Sequence, residues 1–445
     1  MVDISSFRAL RYAPAFAASL SEVVAPPYDV IDQAQLRRLW EQNPYNIVRL
    51  ILPAGDLAPA ERGRGYRLAS QRLRAWKDAG ILVPDEQPSL YLYRQQFRLP
   101  NGQEKLRQGF FALVHIVDWG DGVYRHELTL PGPISDRLCL LDACQANLCS
   151  IFGLYSDPQG EVIESLARAV GYRPPASEAV DDRGVWHGLW PVSDPASLRA
   201  VSELMRDRPV IIADGHHRYT AALEYRNRRR AAGDGGAGAA PWDYVLMYLD
   251  ALEDPGLVVM PTHQVVHSLR GFAAGGFLAQ MEHRFAAFEQ PSLAALLEKL
   301  VQLQDAPEVV LGAVLRGARY YLLTAARPVS PMAPEEALDV SVLRRWAVEP
   351  LLKEHGGDGE LESHLRYTHD AAEAAAWVST GQADVAFLLR PTRLDDVRSV
   401  ALANRVMPQK STYFYPKLLS GLVLYDYALW QEASRPLAER AAPVS

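Results

Sequence analysis

The sequence predicts a mixed α/β protein, α+β in the way its segments follow one another, on three observations. The apolar run Val210-Ile211-Ile212 breaks at Asp214-Gly215 and gives way to an alanine-rich helical pattern, as a strand turning into a helix does. Two β-rich stretches flank Pro100-Asn101-Gly102, a turn triplet. From about residue 270 to 380, helical periodicity alternates with short apolar strand patterns.

In chain order, Val23-Val24-Ala25 is an apolar run stopped by Pro26-Pro27, which leaves Tyr28 and Asp29 extended or in a turn. Asn46–Leu52 alternates and is β-rich, predicting a strand. Residues 61–80 carry helical periodicity through Leu68, Leu73 and Trp76, with Gly80 placed to end the helix. The stretches around Pro100-Asn101-Gly102 make a hairpin. Ser135–Cys149 reads as a helix and Ile151–Tyr155 as a strand. A helix over Pro195–Asp207 precedes the strand at Val210. The helix after Gly215 ends in Arg228-Arg229-Arg230, a solvated basic end suited to the helix dipole. Residues 231–240, AAGDGGAGAA, predict a flexible surface loop. Tyr244–Leu249 and Leu257–Met260 read as further strands.

A chain of 445 residues is long enough for two or three domains. The expected division is 1–150, an N-terminal α/β segment; 151–270, a core carrying the DGHHR turn; and 271–445, a C-terminal α/β segment closing the site. A composition of 49% hydrophobic and 22% charged residues is that of a globular protein with a sizeable core. The net charge of −7 argues against a broad basic surface for nucleic acid, while leaving room for a local basic cleft. No secretory signal pattern and no membrane-spanning apolar run stand out, so a cytoplasmic protein without a membrane partner is expected. Cys139, Cys144 and Cys149 recur every five residues. That spacing fits neither a metal knuckle nor a disulfide framework, and the three are read as ordinary core residues.

The stretch with the most chemistry is Asp214-Gly215-His216-His217-Arg218. A strand turning through glycine into a helix start gathers free backbone N–H groups and the positive end of the helix dipole. Such a point suits an anion, phosphate above all. Two histidines and an arginine in the same turn add donors and positive charge. The same residues also have a plainer reading, with Asp214 as an N-cap and Gly215 chosen for backbone freedom.

Four further stretches are dense in polar or rigid residues. Ala25-Pro26-Pro27-Tyr28-Asp29 is a functional segment or a stiff turn. His126-Glu127-Leu128-Thr129 offers a carboxylate beside an imidazole and a hydroxyl, fit for a general base or a metal ligand. Pro261-Thr262-His263 follows a strand, where α/β folds gather their sites, and equally fits a turn with a solvated histidine. Met407–Lys417 places Lys410, Ser411, Thr412 and Lys417 among aromatics and between two prolines. Its lysines and hydroxyls can bind phosphate oxygens.

Taken together, VVAPPYDVI (23–31), NPYNIVRL (43–50), HELT (126–129), DRL (136–138), ADGHHRYTAA (213–222), PTH (261–263) and MPQKSTYFYPKLLSGLV (407–423) resemble the bacterial domain-of-unknown-function family 1015, from about residue 3 to residue 426. The family pattern continues PTH with arginine where Gln264 stands here; if that arginine contacts phosphate, this chain lacks one such contact. Gly215, Arg218 and Ala221 also resemble the G-x-x-R-x-x-A phosphate motif of the ParB/sulfiredoxin-like superfamily, to which free-serine kinases with a similar turn belong. The resemblance implies a ParB/sulfiredoxin-like core around the strand-DGHHR-helix unit, wrapped by further mixed segments. It also implies phosphoryl transfer on free serine or O-phosphoserine, in serine metabolism.

In that reading Arg218 clamps phosphate oxygens, the amides near Gly215 cradle them, and His216 or His217 donates to a bridging or leaving oxygen. Glu127 is the expected base, with Asp214 or Asp29 as alternatives that can instead hold Mg²⁺. Lys410 and Lys417 complete the charge, and Tyr28, Thr129, His263, Ser411 and Thr412 line the substrate. A small-molecule substrate and a nucleotide, ATP or ADP, are the expected partners. APPYD and MPQKSTYFYPK are both expected to converge on the DGHHR turn. A phosphatase using the same cradle is an alternative, because no G-x-x-x-x-G-K-[ST] loop marks ATP use. So is a nucleotide-responsive ParB-like regulatory protein, although no DNA-recognition helix stands out.

Overall fold

The computed structural model describes residues 2–53, 61–234, 238–327, 333–356 and 361–430. The fold is mixed α/β, and the chain divides into two compact units. The first takes the chain up to Arg125, then Thr129–Val258, and again from Pro416 on; the second holds His126–Leu128 and Val259–Tyr415.

The first unit is built on a nine-stranded mixed sheet. From one edge the strands run Val123–Tyr124, Val210–Asp214, Ile151–Tyr155, Tyr244–Ala251, Glu104–His115, Leu90–Arg98, Trp186–Val192 and Ser177–Val180, with Ile4–Ser5 pairing onto Glu104–His115. The expected hairpin is there, turning at Pro100-Asn101-Gly102, with Gly102 at φ +83. Its register sets Gln95 directly opposite Arg107 and Tyr93 opposite Gly109. Val210–Asp214 runs antiparallel to Ile151–Tyr155 and parallel to Val123–Tyr124. A bulge between Ile212 and Asp214 shifts the register at the end of that strand, and bulges re-aim the side chains beside them.

The second unit carries a six-stranded sheet whose pairings are all antiparallel. Its strands run Ala286–Gln290, Arg319–Ala325, Val309–Leu315, Val385–Leu389, His263–Val266 and Leu365–Thr368. Helices Leu293–Gln302 and Ala371–Ser379 cover one face, burying Leu296, Leu300, Ala374 and Val378 against Val310 and Leu388. The alternation of helix and strand expected over 270–380 is this arrangement.

Three expectations are corrected. Asn46–Leu52 is not a strand: Val48–Ile51 is a short helix. Ile47, Val48, Leu50 and Ile51 are all fully buried, so the apolar positions do not fall on one face as an alternating strand would place them. The Asn46 side chain sets the turn, accepting from the Val48 N–H at 2.9 Å and donating to the Glu22 and Val24 carbonyls. The helix read over Ser135–Cys149 spans Pro131–Cys144, begun by a proline and ended by Gln145 at φ +48, a left-handed cap made without glycine. The cysteines do not share one environment. Cys139 is exposed, Cys144 buried and Cys149 half-buried: five residues along the helix turn Cys144 well away from Cys139, and Cys149 lies beyond the helix end. In the loop 231–240, residues 235–237 lie outside the described residues. Among the described residues, no helix is long and apolar enough to cross a membrane.

Candidate functional site

The strand Val210–Asp214 enters the helix His216–Ala231 through Gly215, which caps the helix at φ +96. Asp214 stands one residue before the N-cap position, which Gly215 takes. Its carboxylate is instead held between two cations. Arg218 donates from Nη2 to Oδ1 at 3.0 Å, and the Lys417 ammonium donates to Oδ2 at 2.6 Å. Burial acts to raise the Asp214 carboxyl, but Lys417 first and Arg218 second outweigh it and hold the group well below the usual carboxylate range. Asp214 is therefore an ionised anchor and a poor proton acceptor.

Arg218 spends its other terminal nitrogen on the Ser150 carbonyl. Burial opposes its charge, while Asp214, then Asp29, favour it, and the net effect strengthens the cation. The guanidinium packs on the backbone of Gly215, where a Cβ would lie 2.9 Å from Nε and 3.0 Å from Cζ. Glycine is thus required twice at this position, by backbone conformation and by the approach of Arg218. Two cations thus meet one firmly ionised carboxylate at the N-terminus of a 16-residue helix. The first amides of that helix have no carbonyl one turn back to bond.

The APPYD segment reaches this point. Ala25 and Ser420 exchange backbone hydrogen bonds at 2.8 and 3.2 Å, so the segment is tied to the chain just beyond Lys417. Tyr28 and Asp29 form a short 3-10 turn within electrostatic reach of Arg218. Burial, with Asp29 adding to it, pushes the Tyr28 hydroxyl up to about 12. The Arg137 guanidinium lies 3.9 Å from the centre of the Tyr28 ring and donates to the Ile51 carbonyl at 2.9 Å. Arg137 and Arg218 both line a small cavity with Cys149, Leu148 and Ala222.

His216 is buried, and its carbonyl accepts from the Thr220 hydroxyl. His217 Nε2 accepts the Leu130 N–H at 3.0 Å, so the neutral ring carries its proton on Nδ1. Thr129 is half-buried in the same unit.

The remaining candidates belong to the second unit. There the His126 ring bonds Thr412 Oγ1 at 2.9 Å, and Glu127 pairs with Met407 through a backbone bridge. Ser411 turns its hydroxyl onto the Pro408 carbonyl at 2.5 Å, a local turn bond. Lys410 is exposed at φ +59. His263 is 3% exposed in the sheet, and its Nδ1 accepts the Leu389 N–H at 3.2 Å. Burial first, and the neighbouring His369 second, push the His263 imidazole down to about 4. Gln264, in the position of the family arginine, is a buried strand residue.

Sequence reasoning missed Arg137 as a site residue, although it stands inside the DRL stretch. It also missed the Ser150 carbonyl, which no side-chain pattern announces. Among the described residues, no group of three or more His, Cys, Asp or Glu side chains is placed to hold a metal ion.

A family model described as "Protein of unknown function (DUF1015)" matches residues 4–341. No curated protein matches the chain. Among solved structures, the chain is similar to a free serine kinase in complex with AMP at 13% identity and a TM-score of 0.33, covering 69% of this chain and 86% of that one. It is also similar to a C-terminally truncated SbnI from Staphylococcus aureus at 14% identity and a TM-score of 0.35, covering 75% and 97%. A conserved hypothetical protein from Pyrococcus furiosus matches at 12% identity and 0.34, covering 72% and 97%. Likenesses this loose identify neither substrate nor ligand for this chain.

Proposed function

The chain belongs to the DUF1015 family of proteins of unknown function, and we propose that this member is a phosphoryl-transfer enzyme acting on free serine or O-phosphoserine, with a nucleotide as donor or acceptor. One observation carries the reading. Asp214 is held between Lys417 and Arg218 at a strand end, immediately before the N-terminus of a long helix. Such a point binds an anion through oriented amides and fixed positive charge.

In this reading the amides after Gly215 and the two cations receive the transferring phosphoryl group, whose chemistry asks mainly for positioning and charge neutralisation. The serine hydroxyl oxygen bonds to phosphorus as the bond to the nucleotide's bridging oxygen breaks. The hydroxyl proton passes to a carboxylate. Glu127, the base expected from the sequence, belongs to the second unit; within the first unit Asp214 is unsuited to accept the proton, being held ionised by its two partners, and we assign that role to Asp29. Mg²⁺ generally binds through one or two carboxylates plus phosphate oxygens; exposed Asp29 would fit that donor set instead of serving as the base. His217 is a candidate donor through Nδ1, since Nε2 is occupied as an acceptor.

The test is ³¹P NMR of the purified protein with O-phosphoserine and Mg²⁺, with and without ADP. New β- and γ-phosphate resonances that need ADP establish a phosphotransferase. Inorganic phosphate released without nucleotide makes the protein a phosphatase. Phosphoserine surviving both conditions overturns the serine assignment.

A further inference from the structure

Arg107 is a fully buried cation on the strand Glu104–His115, at 0% exposure. Burying an arginine costs several kcal/mol unless a close partner offsets it. Its nearest carboxylate, Asp250, is 3.9 Å from Nε, beyond hydrogen-bond distance. Burial, and the neighbouring Asp254, also hold the Asp250 carboxyl well above the usual range, which weakens it as a counter-charge. The guanidinium is bonded elsewhere. Nε donates to Gln95 Oε1 at 2.9 Å, Nη2 reaches the same oxygen, and Nη2 donates to the Pro416 carbonyl at 2.7 Å. Gln95, directly across the hairpin and itself fully buried, donates from Nε2 to the next carbonyl, that of Lys417, at 3.0 Å. The Phe152 and Tyr248 rings lie 4.9 and 5.7 Å from the guanidinium and confine its plane.

Pro416–Leu419 has no regular secondary structure, so its carbonyls need partners from outside a ladder. A neutral donor would satisfy two carbonyls at less cost than a buried arginine. What the Arg107–Gln95 pair adds is a fixed position for the backbone from which the Lys417 side chain extends to Asp214. We infer that Arg107 and Gln95 are positioning residues: they clamp the carbonyls of Pro416 and Lys417 so that the Lys417 ammonium is delivered to Asp214 beside the DGHHR turn. The catalytic consequence rests on the phosphoryl-transfer reading, whereas the placement of Lys417 does not.

The test separates the two. The chain contains six lysines, and amine acetylation by an activated acetate ester, quantified lysine by lysine by mass spectrometry, reports each one's accessibility. In the wild type Lys417 is 16% exposed, and slow labelling is expected. Gln95→Leu removes the glutamine's bonds to Arg107 and to the Lys417 carbonyl, together with its longer contact to the His187 ring, and Lys417 labelling is expected to rise about tenfold, as release of a local contact without global unfolding allows. Lys77, paired with Asp426 in the same unit, serves as the control and should keep its wild-type rate. Unchanged Lys417 labelling overturns the inference, and so does an equal rise at Lys77, which marks general loosening. Where Gln95→Leu does not fold, Gln95→Glu keeps the acceptor for Arg107, loses the Nε2 donor that serves the Lys417 carbonyl and the His187 ring, and is read in the same way. If the wild type turns over O-phosphoserine, Gln95→Leu should lower kcat/KM by about 10- to 100-fold, the scale of a misplaced group. In a Lys417→Met background it should lower it no further, and additive losses overturn the inference. A wild type without turnover removes the phosphoryl-transfer reading and leaves the labelling to decide the positioning role.

Discussion

The Lys417 ammonium lies 2.6 Å from Asp214 Oδ2, across a sequence separation of 203 residues. The carboxylate is raised by burial but lowered more strongly by Lys417 and Arg218, so it titrates below its unfolded value in the folded protein. Its stabilising contribution is complete above the unfolded pKa of about 3.9. It is lost as pH falls from there towards the lower folded-state value. Asp214→Asn leaves two buried cations uncompensated and should cost about 3–5 kcal/mol at neutral pH. It should also flatten the acid limb of a urea-midpoint profile below about pH 4. An unchanged acid limb would show that the carboxylate is not ionised in the fold.

Gly215 and Gly184 both sit at positive φ, +96 and +76, but only at Gly215 would a Cβ meet Arg218. Gly184→Ala should cost about 1–3 kcal/mol from backbone strain alone. Gly215→Ala should carry the same strain and in addition displace the guanidinium. Binding of inorganic phosphate, followed by calorimetry, should weaken in Gly215→Ala and hold in Gly184→Ala. Equal binding in both variants would separate Arg218 from the anion.

Arg218 bridges the Ser150 carbonyl and Asp214 with the two arms of its fork. Arg218→Lys keeps the charge and loses the fork. If the protein transfers phosphate, both Arg218→Ala and Arg218→Lys should reduce kcat/KM by about 10²–10³, as loss of one preorganised electrostatic donor does. Full rescue by lysine would reduce the role of Arg218 to charge alone.

His263 is pushed down to about 4 by burial, with His369 adding to the effect. Protonating Nδ1 would also break its bond from the Leu389 N–H. Between about pH 6.5 and this lower value the unfolded chain binds the proton and the folded one does not, so stability falls as pH falls. His263→Gln should remove that slope from denaturation midpoints measured between pH 4 and 7. A slope that persists would have another origin.

Cys139 is exposed, whereas burial pushes the Cys144 thiol up to about 12 and raises that of Cys149, whose sulfur accepts from the Ser420 hydroxyl. Thiolates react and thiols do not. One of the three thiols should therefore react promptly with a dithiobis-nitrobenzoate reagent in the native protein, and Cys139→Ser should abolish that phase.

What the sequence by itself determined is local. The hairpin around Pro100-Asn101-Gly102, the strand Ile151–Tyr155 and the strand-Gly215-helix unit were legible because side-chain period and turn chemistry act over a few residues. The same locality made Asp214, Gly215 and Arg218 stand out together. It failed where the apolar residues are buried on several sides, as in Val48–Ile51, and where a helix ends on a left-handed glutamine, as at Gln145. Only the tertiary structure decided that Asp214 is an ion-pair anchor rather than an N-cap, because its second partner is Lys417, far along the chain. Only the tertiary structure likewise set Gln95 and Arg107 beneath the carbonyls of Pro416 and Lys417. Charges buried by a fold are paired through space, and the cost of leaving one unpaired selects partners without regard to their distance along the chain.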